Sequence, residues 1–72
     1  MNECESHVDV VRLWPTVIEF AKAVGITTHN AKIMVHRGKI PAKHLRAVAE
    51  AAARDGFAGI TYARLVELAK QP

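Results

Sequence analysis

The segment TVIEFAKAVGITTHNAKIMVHRG, Thr16 to Gly38, reads as two short helices joined by a tight turn. Thr16 is a good N-cap and Glu19 stands three residues on. That is the spacing of a capping box, in which the hydroxyl accepts from a free backbone N–H and the carboxylate returns to the cap's own N–H. The first helix is predicted over about Val17 to Val24. Gly25 can take the left-handed conformation that closes a helix, and the apolar Ile26 plugs the turn into the core. Thr27 and Thr28 offer a new N-cap. The second helix is predicted to run to about Arg37, with Gly38 as its stop.

Phe20, Ala21, Val24, Gly25, Ile26, Ala31 and Met34 fall where a helix-turn-helix needs them. Ala21 must be small because the second helix crosses close to it. Phe20, Val24, Ile26, Ala31 and Met34 then pack the two helices together at a steep angle. In the second helix Ala31, Met34 and Val35 share one face, while His29, Lys32, Ile33 and His36 share the other. Three of those four can hydrogen-bond, and the apolar one suits a thymine methyl. Thr27, Thr28 and Asn30 crowd the N-terminal end, the part of a reading helix that usually lies deepest in the major groove. The expected base-reading set is therefore Thr27, Thr28, His29, Asn30, Lys32, Ile33 and His36. Asn30 suits adenine, and Lys32 suits guanine O6 and N7.

Over about Leu13 to Arg54 the chain resembles the phage-repressor type of helix-turn-helix, lambda-repressor-like or Cro-like. The stretch GITTHNAKIMVHRGKIPAKHL is similar to small prophage regulators of the YdaS type, and more so to the short carph-isopro family with its HRGKIP-like stretch. Ala31 is smaller than the branched residue usual there, and Met34 stands where a larger aromatic often sits. The resemblance implies an all-α, four- to five-helix bundle of lambda-repressor-like DNA-binding fold. It also implies a regulator of phage or prophage type.

The 72 residues are expected to form one domain, and a chain this short buries only about 60–65% of its unfolded surface. No apolar run approaches the roughly 18 residues of a membrane span. The stretch MNECESHVDV carries Glu3, Glu5 and Asp9, which is wrong for a signal peptide. The single cysteine, Cys4, forms no internal disulfide, so a cytoplasmic, nucleoid-associated protein is expected. The net charge is only +3, but it is segregated. Lys22, Lys32, Arg37, Lys39, Lys43 and Arg46 lie between Phe20 and Ala49, an interval without Asp or Glu. This is the footprint of a phosphate-binding face; the competing reading is a solvated basic surface. Thr16, Lys22, Arg37, Lys39, Lys43, His44 and Arg46 are the expected phosphate contacts.

The flanking segments read as support. Ser6 and Asp9 have the spacing of a second capping box, opening a short helix over about His7 to Leu13. Val10, Val11, Leu13 and Trp14 are then available to the core. Pro15 disfavours helix at Trp14. Trp14 is read as a core residue, with base stacking as the alternative. Pro41 is placed at the first position of a helix ending near Arg54, with Leu45, Val48, Ala49 and Ala52 as its apolar stripe. The free N–H groups at its start add to the phosphate clamp. Phe57 anchors the loop Asp55 to Gly59. Thr61 caps a last helix over about Tyr62 to Lys70, which either completes the core or provides a dimer contact.

Cys4 and His7 have plausible spacing for two metal ligands, but no second close cysteine pair exists, so no metal site is expected. No phosphate-binding glycine loop is present, and no enzyme or cofactor is expected. Each histidine offers a donor and an acceptor when neutral and a phosphate contact when protonated. For His7 and His44 plain surface exposure competes with that use. The sequence thus points to a sequence-specific transcriptional regulator, most simply a repressor occupying an operator in double-stranded DNA. A homodimer, at least on DNA, and contact with RNA polymerase are the expected partners. The rivals are a helical interaction module, such as an antitoxin or anti-repressor, and a non-specific architectural DNA binder.

Overall fold

The computed structural model describes residues 6–70; Cys4, Glu3 and Glu5 lie outside them. Those residues form five helices and no strand: α1 (His7–Val11), α2 (Val17–Val24), α3 (Thr28–Arg37), α4 (Ala42–Arg54) and α5 (Tyr62–Ala69). None of them is long and apolar enough to cross a membrane.

Local chemistry sets most of the boundaries. Hydroxyl oxygens of Ser6, Thr16, Thr27 and Thr61 accept from the backbone N–H of Asp9, Glu19, Asn30 and Arg64, so four of the five helices open on a side-chain cap. The return half of the box at Thr16 is not formed among the described residues: Glu19 is exposed and its carboxylate makes no bond. Helices α2 and α3 close by the same device. Gly25 (φ 87°) and Gly38 (φ 74°) turn left-handed. The next residue's N–H then reaches back, Ile26 to the Ala21 carbonyl at 3.0 Å and Lys39 to the Met34 carbonyl at 3.2 Å. The end of α4 repeats the pattern, with Phe57 donating to the Ala52 carbonyl at 2.8 Å.

Three boundaries differ from expectation. Helix α1 stops at Val11, two residues short of Leu13. Leu13 and Trp14 donate to the Val10 and Val11 carbonyls in tighter turns as the chain unwinds before Pro15. Pro41 is the N-cap of α4, not its first helical residue (φ −57°, ψ 144°). Its ψ is extended although its φ would suit a helix, and the helix begins with Ala42. Helix α5 ends at Ala69, one residue early.

The core is a single cluster. Val10, Val11 and Trp14 enter it from α1 and the turn that follows; Phe20 and Ala21 come from α2, and Ala31 and Met34 from α3. Ile40 precedes α4, which supplies Leu45, Val48, Ala51 and Ala52, and α5 adds Leu65 and Leu68. Within α4 the expected Leu45, Val48 and Ala52 are buried and Ala49 packs half-buried against the core, with Ala51 buried in addition. Alanines at 47, 49, 51, 52 and 53 leave the edge of the stripe without contrast, so periodicity there does not separate Ala49 from Ala51. Helix α5 contributes to the core through Leu65 and Leu68, which are 0% and 4% exposed.

Three aromatic rings join the turn after α1, helix α2 and the loop after α4. Trp14 meets Phe20 and Phe57 edge-on, at centroid distances of 5.3 and 4.8 Å. Its indole N–H donates to Asp55 Oδ2 at 2.8 Å. At 6% exposed and with its N–H engaged, Trp14 is a core residue and is not available to stack on a base. Arg54 extends this contact, donating to the Ala23 carbonyl at 2.9 Å and lying 3.5 Å from Asp55 Oδ1. The end of α4 is thereby tied to the end of α2.

Candidate functional site

Helix α3 buries one side and leaves the other open. Ala31 (0% exposed) and Met34 (5%) face inward against α1 and α2, and Val35 packs half-buried beside them. The opposite side presents His29, Asn30, Lys32, His36 and Arg37 to solvent, with Ile33 half-buried among them. The rings of His29 and His36 make no hydrogen bond or ion pair among the described residues, so folding leaves their donors and acceptors unused. Lys32 and Arg37 are equally free.

The N-terminal residues of α3 are placed less simply. Thr27 is exposed, but its hydroxyl oxygen accepts the Asn30 N–H at 3.1 Å, leaving the O–H proton for an outside partner. Thr28 is half-buried. Thr16, at the start of α2, is exposed and accepts from the Glu19 N–H in the same manner.

The cations expected on phosphates divide into two groups. Lys22, on α2, and Lys43, in the first turn of α4, are exposed and unengaged. Lys39 is exposed, yet its ammonium donates to the Ala69 carbonyl at the end of α5, at 3.4 Å. The Arg46 guanidinium lies over the Tyr62 ring, 5.3 Å from its centroid. Lys39 thus ties the turn between α3 and α4 to α5, and Arg46 ties α4 to α5. His44 is half-buried at the start of α4. That helix alone among the five lacks a side-chain N-cap bond, since Pro41 has no acceptor to give.

His7 is a correction. The expected surface histidine is 2% exposed and fixed at both nitrogens. The Ile40 N–H donates to Nδ1 at 2.8 Å, so the ring proton is on Nε2, which donates to the Leu65 carbonyl at 2.9 Å. It joins α1 to α5 and to the residue before Pro41, and neither nitrogen is open to a phosphate or a metal. Sequence reasoning also missed Arg54 and Asp55, whose partners are distant in the chain. The one available signal was spacing: His7, Val10 and Val11 share a helical face.

Elsewhere a groove of about 220 Å³ lies between Val11, Trp14, Pro15, Val17 and Val35, with Arg12 and Thr16 at its edge. It falls below the roughly 300 Å³ at which small-molecule pockets begin. Among the described residues no three His, Cys, Asp or Glu side chains gather as metal ligands. No family model, curated protein or solved structure matches the chain.

Proposed function

We propose that the chain is a helix-turn-helix, lambda-repressor-like DNA-binding regulator of phage or prophage type, with α2 and α3 as its motif and α3 as its reading helix. One observation carries this reading. The outward face of α3 holds His29, Asn30, Lys32 and His36, all exposed and free of ring or side-chain partners, with the unengaged cation Arg37 on the same helix and the unengaged Lys43 exposed in the first turn of α4. A surface of hydrogen-bonding side chains bordered by positive charge, without a carboxylate between Phe20 and Ala49, suits base edges flanked by phosphates.

In this reading Asn30 and Lys32 contact adenine and guanine. Lys22, Arg37, Lys39, Lys43 and Arg46, with Thr16, His44 and the uncapped N-terminus of α4, hold the backbone. Regulation follows from occupancy of an operator. Size supports binding as a pair: the fold measures 27 × 25 × 22 Å, and helix-turn-helix dimers place their half-sites about 34–36 Å apart. Two copies therefore fit side by side on one face of the duplex.

The test is selection of duplexes from a random pool, followed by gel shifts on the recovered and on scrambled sequences. A specific regulator recovers one related set of sites and shifts them in preference to the scrambled duplex. Equal shifts of both establish a non-specific architectural binder. No shift of either overturns the reading, as expected of a protein-interaction module.

A further inference from the structure

The turn from Gly38 to Pro41 joins α3 to the helix that carries Lys43. Helix α3 packs on α2 and α1, while α4 packs on α2 and α5. The turn is their covalent link, and its backbone donors can be followed one by one. The N–H groups of Gly38 and Lys39 go to the Met34 carbonyl and close α3. Pro41 has no N–H to give. The Ile40 N–H goes to His7 Nδ1 at 2.8 Å, from a residue 4% exposed to a ring 2% exposed. Beyond it α4 opens without a side-chain cap, and the first buried residue of that helix is Leu45. Exposed Lys43 thus stands between two fixed points, Ile40 and Leu45. Helix α1 supplies the hold on the first of them. Val8, next to His7, lies close to the same turn: a side chain at Gly38 would meet its Cγ2 at 4.0 Å.

Resting on the DNA-binding reading above, we propose that His7 is a positioning residue for that interface: by accepting the Ile40 N–H it fixes the start of α4, and with it Lys43, relative to α3. The imidazole touches no DNA and acts through the turn. Without the acceptor, a buried N–H is left unpartnered, and the turn opens towards water to satisfy it. Helix α3 keeps its own support on α2. The loss therefore falls on the phosphate contact of Lys43 and not on the bases that α3 prefers.

Two variants divide the ring's two bonds. The amide oxygen of asparagine stands in for Nδ1, and the amide nitrogen of glutamine for Nε2. His7→Asn therefore keeps an acceptor for Ile40 and loses the donor to Leu65, and His7→Gln does the reverse. Each loses one buried bond, so both should unfold at lower urea than the parent. Salt titrations of the full chain, on the duplex recovered by selection, then separate the roles. His7→Gln should make the slope of log K against log salt shallower by about one, the share of a single phosphate, with the preferred bases intact. Lys43→Ala added to His7→Gln should change it no further, because the two act as one unit. His7→Asn should keep the parent slope. A merely structural histidine would lower the apparent affinity of both variants and move the slope of neither. The assignment is overturned by a parent slope in His7→Gln, by equal slopes in the two variants, or by about one further unit lost on adding Lys43→Ala. Should His7→Gln not fold, hydrogen exchange in the parent decides. On the duplex the Ile40 amide should gain protection relative to that of the fully buried Val48, and in Lys43→Ala it should not, since coupling is reciprocal. An equal gain in both overturns the assignment. A pool that yields no duplex overturns the DNA-binding reading itself, before any variant is made, and the assignment with it.

Discussion

At the scale of the residue, His7 ties together distant parts of the fold. Its imidazole satisfies the Ile40 N–H and donates to the Leu65 carbonyl from a site 2% exposed. Those partners stand 33 and 58 positions away, so one ring connects the first helix to the middle and the end of the chain. A buried donor left without a partner costs about 1–3 kcal/mol. His7→Phe fills the space but answers neither polar group, and is expected to lose about 2–4 kcal/mol. Small domains have stabilities that start near roughly 5 kcal/mol, so this variant should unfold at much lower urea, followed by circular dichroism. A midpoint equal to the parent's would mean that His7 acts only by its volume.

At the scale of the element, α2 packs on both α3 and α4. Ala21 of α2 is 1% exposed within the core, and its carbonyl also accepts the Gly25 and Ile26 N–H groups that close α2. Ala21→Leu adds three carbons to a site with no room, and overpacking costs about 1–3 kcal/mol. A lowered melting temperature with helical content retained is the expected result; a variant that melts like the parent would show that the two helices do not need this close approach. The limits of α2 and α3 were legible because their determinants are local. Thr16, Gly25, Thr27 and Gly38 each act within four residues of themselves. The outward residues of α3 were legible for the same reason, since helical spacing alone separates His29, Lys32 and His36 from Ala31 and Met34. The role of His7, the tie from Arg54 to Ala23 and the indole bond to Asp55 were not, because nothing near them in sequence names the partner. In α4 the expected Leu45, Val48 and Ala52 are buried and Ala49 packs against the core, but Ala51 was missed, because a run of alanines carries little contrast at the border of the inward face.

At the scale of the whole molecule, the fold sorts its charges into used and unused. Arg54 and Arg64 are paired with Asp55 and Glu67, Lys39 reaches Ala69, and Arg46 lies on Tyr62. Lys22, Lys32, Arg37 and Lys43 stay exposed and unengaged. If the free cations and one recruited neighbour meet phosphates, each releases a counterion. With five contacts the slope of log K against log salt should then be about −4.5, from roughly −0.9 per contact. The variants should separate by role. Lys43→Ala is expected to weaken selected and scrambled duplexes alike and to reduce the slope by about one, because phosphates carry no sequence information. Lys32→Ala is expected to flatten the preference at one or two base positions, a discrimination of about 1–3 kcal/mol for a good base contact. Arg64→Ala, on α5 and already paired, should change neither quantity. Titrations of each variant across a salt series, on a panel of single-base substitutions, measure both at once. A slope near zero would remove the phosphate face altogether. If Lys43→Ala changed the preferred bases while Lys32→Ala left them intact, the start of α4, and not α3, would be the element in the groove.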